Sequence, residues 1–288
     1  MSKQALHFES IEALVAAGKL PSSWSGRDSR TGTLDFTGTA SWEEACDRAT
    51  NGWPEGLAKM AGVLEQAQAS TTATGAAPSM MLDVAGAFPH AAIAASGDAF
   101  CMVSPLPVSE RARPVLRLAT STALPATFEP HEVFNYGAGL VAMIDSLEQA
   151  GFSVELSSLR CNDSFGGKAS SRLTIQTLLK PAGEPLELER LAFCLASASF
   201  NRRLHFAVVE ALCPAELWQG SYGMAATPVR GTDLDEDVCL LPGPTMFGPS
   251  SPQLASPEAA VAAMRGKVLE LLSDRYAAFP AILFEAAA

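Results

Sequence analysis

The sequence predicts an α/β fold, in which a mainly parallel sheet is flanked by helices and preceded by a helical N-terminal segment. Apolar residues recur on one side of a helix over 131–150, between an apolar strand at 114–121 and a strict alternation at Phe152, Val154 and Leu156. Such a strand–helix–strand unit is normally a right-handed crossover between parallel strands. With 48% hydrophobic and 18% charged residues, the chain also has the composition of a folded protein rather than a disordered one.

Three short helices are predicted in the N-terminal part. The first ends within 14–20, where a glycine and a proline stop it. The second begins at SWEE, residues 41–44, a capping box in which the serine hydroxyl accepts a backbone N–H and the last glutamate reaches back to the serine N–H. It ends at the Asn-Gly pair of 51–52. The third begins at Pro54, after which apolar residues recur at spacings of three and four.

Shifts in composition indicate loops and a domain boundary. Residues 22–33 are rich in Ser, Gly and Thr and are predicted to form a loop. Residues 66–78 are rich in Ala, Thr and Ser without apolar periodicity, which is typical of a linker. We therefore expect a helical N-terminal segment and linker at 1–78 and an α/β domain at 79–288.

The second half of the chain continues the alternation of strands and helices. A strand is predicted at 173–179, a helix at 184–198 and a long helix at 257–276. Residues 203–212 fit a strand or a further helical piece, because periodicity does not separate the two for a short apolar run. After residue 220 the chain is rich in Pro and Gly, which predicts loops.

The charge balance limits the partners. A net charge of −11 and a pI near 4.8 argue against a broadly basic surface for nucleic acid, although a local basic groove can exist in an acidic protein. The arginines that could line such a groove are Arg27, Arg30, Arg111, Arg113, Arg202 and Arg203.

Membrane and redox signals are absent from the sequence. No apolar run reaches the length of about 18 residues that a membrane span needs, and residues 1–20 carry charges where a signal peptide is apolar. We expect a cytosolic protein that does not engage membranes. The six cysteines show no C-x-x-C spacing, which predicts buried thiols rather than a zinc site or a disulfide framework.

Aromatic residues near the second helix are the first candidates for recognition. Trp42 and Trp53 flank this helix, and with Phe36 they could form a surface for a protein partner, since exposed tryptophans anchor many interfaces. The alternative is that they pack beside the cap and the glycine turn, as in a hydrophobic staple. Asp83 and His90, in a segment punctuated by Gly and Pro, are further candidates for partner binding.

No motif identifies a catalytic chemistry. Residues 162–170 depart from a phosphate loop at two key positions, and the acidic stretch 233–237 lacks the glycine turn and distal glutamate of a calcium loop. We interpret that acidic stretch as a solvated turn. The sequence therefore predicts no catalytic residue, no cofactor and no metal site; an enzyme assembled from Asp83, His90 and Lys168 is a third hypothesis.

Two blocks of sequence resemble a family of uncharacterised proteins encoded by tailed bacteriophages and related mobile elements. The first block contains FTG at 36–38, SWEEA at 41–45 and NGWPEG at 51–56; the second begins with LDVAG at 82–86 and ends with Cys-Met at 101–102. The resemblance implies a phage origin. It supplies no activity and no catalytic residues.

Residues 114–212 are also similar to a von Willebrand factor A domain, in which a strand, a long helix entered by small residues and a second strand recur. The small residues here are NYGA at 135–138. The metal site of that family requires Asp-x-Ser-x-Ser after the first strand, whereas this chain has LATST at 118–122, without the Asp. The resemblance implies protein binding by the 79–288 domain, with the metal site lost.

Together these observations favour a phage-encoded, non-enzymatic protein that acts through a protein interface. Such a protein would be an assembly or host-interaction factor in the host cell cytoplasm or the virion, with a phage or host protein as its partner, and oligomer formation is compatible with the sequence. The alternative is a nucleic-acid-binding protein of phage replication or transcription, in which the six arginines contact the phosphates.

Overall fold

The computed structural model describes residues 2–26, 28–69, 80–83, 88–89, 102–105, 114–149, 152–163, 171–213 and 229–275. Its main feature is a five-stranded sheet with the strand order β1-β7-β6-β5-β8, accompanied by a separate antiparallel sheet with the order β2-β4-β3. The strands are Ser2–Phe8 (β1), Met80–Asp83 (β2), Phe88–Pro89 (β3), Met102–Pro105 (β4), Val115–Ser121 (β5), Ser153–Asp163 (β6), Ser171–Lys180 (β7) and Cys239–Leu241 (β8).

Helices cover the five-stranded sheet, and the predicted α/β class is confirmed. Every neighbouring pair in this sheet is parallel except the β6–β7 pair, which is antiparallel. The α-helices are Ile11–Gly18 (α1), Leu34–Thr37 (α2), Trp42–Asn51 (α3), Pro54–Ala69 (α4), Pro130–Gln149 (α5), Leu188–Ala196 (α6), Phe206–Leu212 (α7), Pro244–Phe247 (α8) and Pro257–Arg275 (α9).

The crossover β5-α5-β6 forms the centre of the fold, as its hydrophobic pattern predicts. Helix α5 is buried along nearly its whole length, because α4, α6 and α9 all pack against it. Gly137 permits the contact with α6, since a Cβ at this position would lie 2.4 Å from the Cα of Ala196. Strand β6 is longer than the alternation at 152–156 predicts and contains a register shift between Leu156 and Ser157.

The N-terminal segment is part of the same core rather than a separate unit. Strand β1 pairs in parallel with β7, with Leu6 opposite Ile175. Ile11 and Leu14 of α1 belong to the same buried cluster as Phe193 of α6. The expected boundary between 1–78 and 79–288 therefore does not separate two packed bodies among the described residues. Alternation in β1 is weak, so local pattern does not reveal a strand that pairs with residues far along the chain.

The ambiguity at 203–212 is resolved as helix. Residues 200–205 form one π-helical turn, which continues directly into α7. Turns of this kind are rare and occur frequently at functional sites. In the part of the chain that the structure describes, no helix has the length and hydrophobicity needed to cross a membrane.

Candidate functional site

A surface groove of about 490 Å³ lies beside Trp42. We call it the Trp42 groove; it is lined by Lys19, Arg30, Thr31, Gly32, Ala40, Ser41, Trp42 and Glu43.

The capping box at the start of α3 fixes the position of Trp42, which lines the groove. The Glu44 N–H donates to the Ser41 hydroxyl at 3.1 Å, as the sequence predicts, whereas the Glu44 carboxylate accepts from the Ala40 N–H at 2.6 Å. Trp42 is the first residue of the helix, and 9% of it is exposed. A Cβ at Gly18 would lie 2.8 Å from its indole, so the glycine lets α1 pack directly on this ring.

Arg30 forms one wall of the groove, held by the loop to which it belongs. Its Nε and Nη2 donate to the two carboxylate oxygens of Asp28 at 2.6 and 2.9 Å, and its Nη1 donates to the Leu20 carbonyl at 3.0 Å. The hydrogen bond from Arg30 holds the pKa of the Asp28 carboxyl below its ordinary value. The guanidinium is thus fixed in place and partly neutralised.

Two exposed leucines are close in sequence to residues that line the Trp42 groove. Leu20 directly follows Lys19 and is 47% exposed, and Leu34, two residues after Gly32, is 56% exposed. A largely buried aromatic side chain accompanied by exposed apolar side chains and charged groups is found at many protein interfaces.

Arg202 and Arg203 are not available to nucleic acid. Arg203 is fully buried and donates to the Arg30 carbonyl at 2.7 Å, the Gly32 carbonyl at 2.9 Å, and both the hydroxyl and the carbonyl of Thr39 at 2.8 Å. Arg202 donates to the carbonyls of Phe36 and Pro125. The interpretation of these two residues as phosphate ligands is wrong, because their guanidiniums bind the 28–40 loop to the π turn.

The other predicted site residues do not join one site among the described residues. Trp53 packs its indole edge-on against Phe134 and Phe193, with ring centroids 6.3 and 6.5 Å apart, so it supports the core. Asp83 ends β2, and its side chain lies outside the described residues. Arg27, His90, Arg111, Arg113 and Lys168 lie entirely outside them.

A second polar feature lies inside the protein, on the helix-covered face of the sheet. Thr120, Ser158 and Thr177 occupy the same level of β5, β6 and β7, because Thr120 pairs with Ser158 and Ser158 pairs with Thr177. Paired residues of neighbouring strands point to the same face of a sheet. The Thr120 hydroxyl lies 2.6 Å from the Tyr136 hydroxyl of α5, which identifies this face as the helix-covered one.

Arg160, two residues further along β6, adds a buried positive charge beside these hydroxyls. Arg160 follows Ser158 by two residues on β6, so it faces the same side. Its Nη1 donates to the Asn201 side-chain oxygen in the π turn, and its guanidinium lies 4.5 Å from the centre of the Phe206 ring. Burial lowers the pKa of Arg160 to about 9. Thr122 continues β5 beside it, donating its N–H to the Leu159 carbonyl at 3.2 Å.

His205 completes this region from the π turn. It is fully buried with its ring edge-on to Phe200, at a centroid distance of 4.8 Å. Burial is the main cause that lowers its pKa to about 3, and the charge of Arg160 acts in the same direction. The imidazole is therefore neutral at physiological pH.

Several polar atoms of this region are buried without a hydrogen-bond partner. We define the polar cluster by six residues: Thr122, Ser158, Arg160, Thr177, Asn201 and His205. Within the described residues, the unpaired atoms of the cluster are the three hydroxyls, the Asn201 amide nitrogen and both His205 ring nitrogens. Buried polar atoms in native proteins are almost always paired with protein, water or ligand, so six unpaired atoms here are exceptional.

The opposite face of the sheet carries a closed ion pair. Arg172 on β7 donates to both carboxylate oxygens of Asp233 at 2.9 and 2.5 Å, with only 1% and 2% of the two side chains exposed. The interpretation of 233–237 as a solvated turn is therefore wrong for Asp233, whereas residues 235–237 are exposed, as that interpretation expects. The acidic side chain is buried because an arginine from the neighbouring strand neutralises it.

The predicted burial of the thiols is confirmed where the structure describes them. Cys161, Cys194, Cys213 and Cys239 are buried, and Cys46 is half-buried. Burial raises the pKa of both Cys46 and Cys213 to about 11, which keeps these two thiols protonated and unreactive. No group of three or more potential metal ligands occurs among the residues that the structure describes.

Sequence reasoning missed the polar cluster. The signal in the sequence is the pair Ser157-Ser158 followed by Arg160, set among Leu156, Leu159 and Cys161 in the middle of β6. Polar residues on a strand that is covered on both faces indicate a buried polar network, but the partner residues at 201–205 are visible only once the π turn is known.

The fold defines an α/β protein with a surface groove beside Trp42. The chain belongs to a family of domains of unknown function, DUF7192, whose model matches residues 2–264. This match includes β1 and both the Trp42 groove and the polar cluster. No curated protein and no solved structure is significantly similar to the chain.

Proposed function

We propose that this chain is a non-enzymatic protein that binds a protein partner through the Trp42 groove. The observation that carries the proposal is a surface groove lined by Trp42 and by charged side chains, with two exposed leucines, Leu20 and Leu34, close in sequence to its lining residues Lys19 and Gly32. Interfaces obtain most of their binding energy from aromatic and apolar anchors inside a polar rim. Lys19 and Glu43 supply rim charges of both signs, which favours a mixed-charge protein surface over a polyanion.

We further propose that this partner belongs to a tailed phage or its host, and that the protein acts as an assembly or host-interaction factor in the host cytoplasm or the virion. The sequence blocks at 36–56 and 82–102 support the phage origin. The order β5-α5-β6 supports the similarity to a von Willebrand factor A domain and its implied role in protein binding.

Nucleic-acid binding is the weaker proposal. Of the six candidate arginines, Arg202 and Arg203 are buried and Arg30 is paired with Asp28, so the described residues offer no converging basic groove.

Site-specific photocrosslinking would test the proposed interface. A photoreactive residue at position 34 should crosslink one discrete partner in extracts of cells that carry the gene. Position 115 is the control, because Val115 is 47% exposed, as Leu20 is. The same photoreactive residue at position 115 should give no crosslink to that partner. The double variant Leu20→Glu/Leu34→Glu should weaken binding of that partner at least about tenfold, because charges replace apolar anchors. Equal crosslinking from both positions, or unchanged binding by the double variant, would reject the groove as the interface.

A further inference from the structure

The polar cluster contains more hydrogen-bond donors than its protein neighbours use. Within the described residues, the hydroxyls of Thr122, Ser158 and Thr177 and the amide nitrogen of Asn201 have no partner. All four residues are nine-tenths or more buried. Leaving such groups unpaired is unfavourable because they lose their hydrogen bonds to water, so the fold is expected to enclose something that they bind.

The register of the sheet directs these groups toward one region. Ser158 and Thr177 are direct neighbours across β6 and β7, and Thr122 and Arg160 lie one level further along the same face. Arg160 contacts Asn201 on the π turn, which brings the helical layer over these strands. We therefore propose that the polar cluster binds a small inorganic anion between the sheet and the π turn.

The chemistry of the cluster favours an anion over a metal cation. Hydroxyl and amide N–H groups donate hydrogen bonds, and the guanidinium of Arg160 adds a positive charge at neutral pH to a region of low dielectric. A divalent cation prefers carboxylate or imidazole ligands and would be repelled by that charge. The six residues include no carboxylate and a single imidazole, that of His205, and its neutral ring can donate one further hydrogen bond to an anion.

The position of the cluster in the fold supports ligand binding. Thr122 directly follows the carboxyl end of β5, and Arg160 lies in the carboxyl-terminal half of β6, the side on which open α/β sheets bind their ligands; Ser158 is at the middle of β6. The π turn supplies Asn201 and His205 from the covering layer. Because all six residues are buried, the site is suited to a halide or nitrate ion rather than to a large ligand.

Bromide provides a direct test, because its anomalous scattering identifies it in a crystal. Crystals of the full chain grown with millimolar bromide as the halide should show an anomalous peak within hydrogen-bonding distance of Ser158, Thr177 and Asn201. A cluster that holds only water, or a peak that appears only at molar bromide and so marks an adventitious ion only, would overturn the proposal.

Thermal unfolding provides the second test. The Tm should rise with bromide concentration relative to gluconate at equal ionic strength, because a ligand that binds only the native state stabilises it. Ser158→Ala should abolish most of this rise. Ser146→Ala is the matched control, since it removes a buried hydroxyl that already donates to the Ala142 carbonyl at 2.8 Å, and the rise should persist. If Ser158→Ala does not fold, Thr177→Val replaces it; a rise that survives in the folded variant refutes the site.

Discussion

Buried arginines illustrate how single residues organise this protein. Arg203 uses its planar, five-donor guanidinium to bind three backbone carbonyls and one hydroxyl of the 28–40 loop. That loop provides Arg30, Thr31 and Gly32 to the Trp42 groove. A residue that the sequence offers as a phosphate ligand thus acts inside the fold, where it positions the surface proposed to bind a partner.

Replacing Arg203 should therefore destabilise the protein and disorder the groove. Arg203→Met keeps much of the side-chain volume but removes four hydrogen bonds, among them those to the carbonyls of Arg30 and Gly32, so we expect the free energy of unfolding to fall by about 3 kcal/mol or more. Urea unfolding would measure this change. The control is Arg117→Met, which removes exposed ion pairs with Glu155 and Asp237 and should cost no more than about 1 kcal/mol. Equal effects of the two substitutions would contradict this account.

At the scale of elements, local signals determine which predictions succeed. The capping sequence at 41–44 locates the start of α3 because the cap is a local hydrogen-bond pattern. Strand β1 is not predicted from the sequence, because its stability comes from pairing with β7, more than 160 residues away along the chain. The π turn at 200–205 is not predicted either, because one short turn is too brief to give a hydrophobic periodicity that distinguishes it from other structures.

Glycines in the helices provide a test of the packing between elements. Gly137→Ala should separate α5 from α6, because the added Cβ would lie within 2.5 Å of three atoms of Ala196; we expect a loss of about 1–3 kcal/mol. Gly62→Ala in α4 is the matched control. Among the described residues, and apart from its own helix backbone, no atom lies within 4 Å of its added Cβ, so the higher helix propensity of alanine should stabilise the protein by up to about 1 kcal/mol. Thermal or urea unfolding of both variants would show the opposite signs, and destabilisation by both would argue against the close α5–α6 contact.

At the scale of the whole molecule, the sequence specifies the fold class better than the site. The crossover around α5 is encoded in hydrophobic spacing, which is local and strong. The Trp42 groove joins the end of α1, the loop at 30–32 and the start of α3, and the polar cluster joins three strands with the π turn. Sites assembled from distant segments depend on tertiary packing, so residue type alone identified Trp42 and Arg30 but not their proximity.

The shared core leads to a prediction about the chain as a whole. The sequence-based boundary would allow 79–288 to fold alone, whereas the structure places β1, α1, α3 and α4 on that part's sheet and helices. A fragment of 79–288 would expose the edge of β7 and the buried faces of α5 and α6, and we expect it to lack a cooperative unfolding transition. The full chain should unfold in one transition when followed by both far-ultraviolet circular dichroism and tryptophan fluorescence.

Adding 1–78 as a separate polypeptide to the 79–288 fragment should restore cooperative unfolding, since it supplies the missing strand and helices. A fragment of 79–288 that unfolds cooperatively on its own would contradict this prediction. It would show that the N-terminal segment is not needed for the core and that the Trp42 groove forms independently of the sheet.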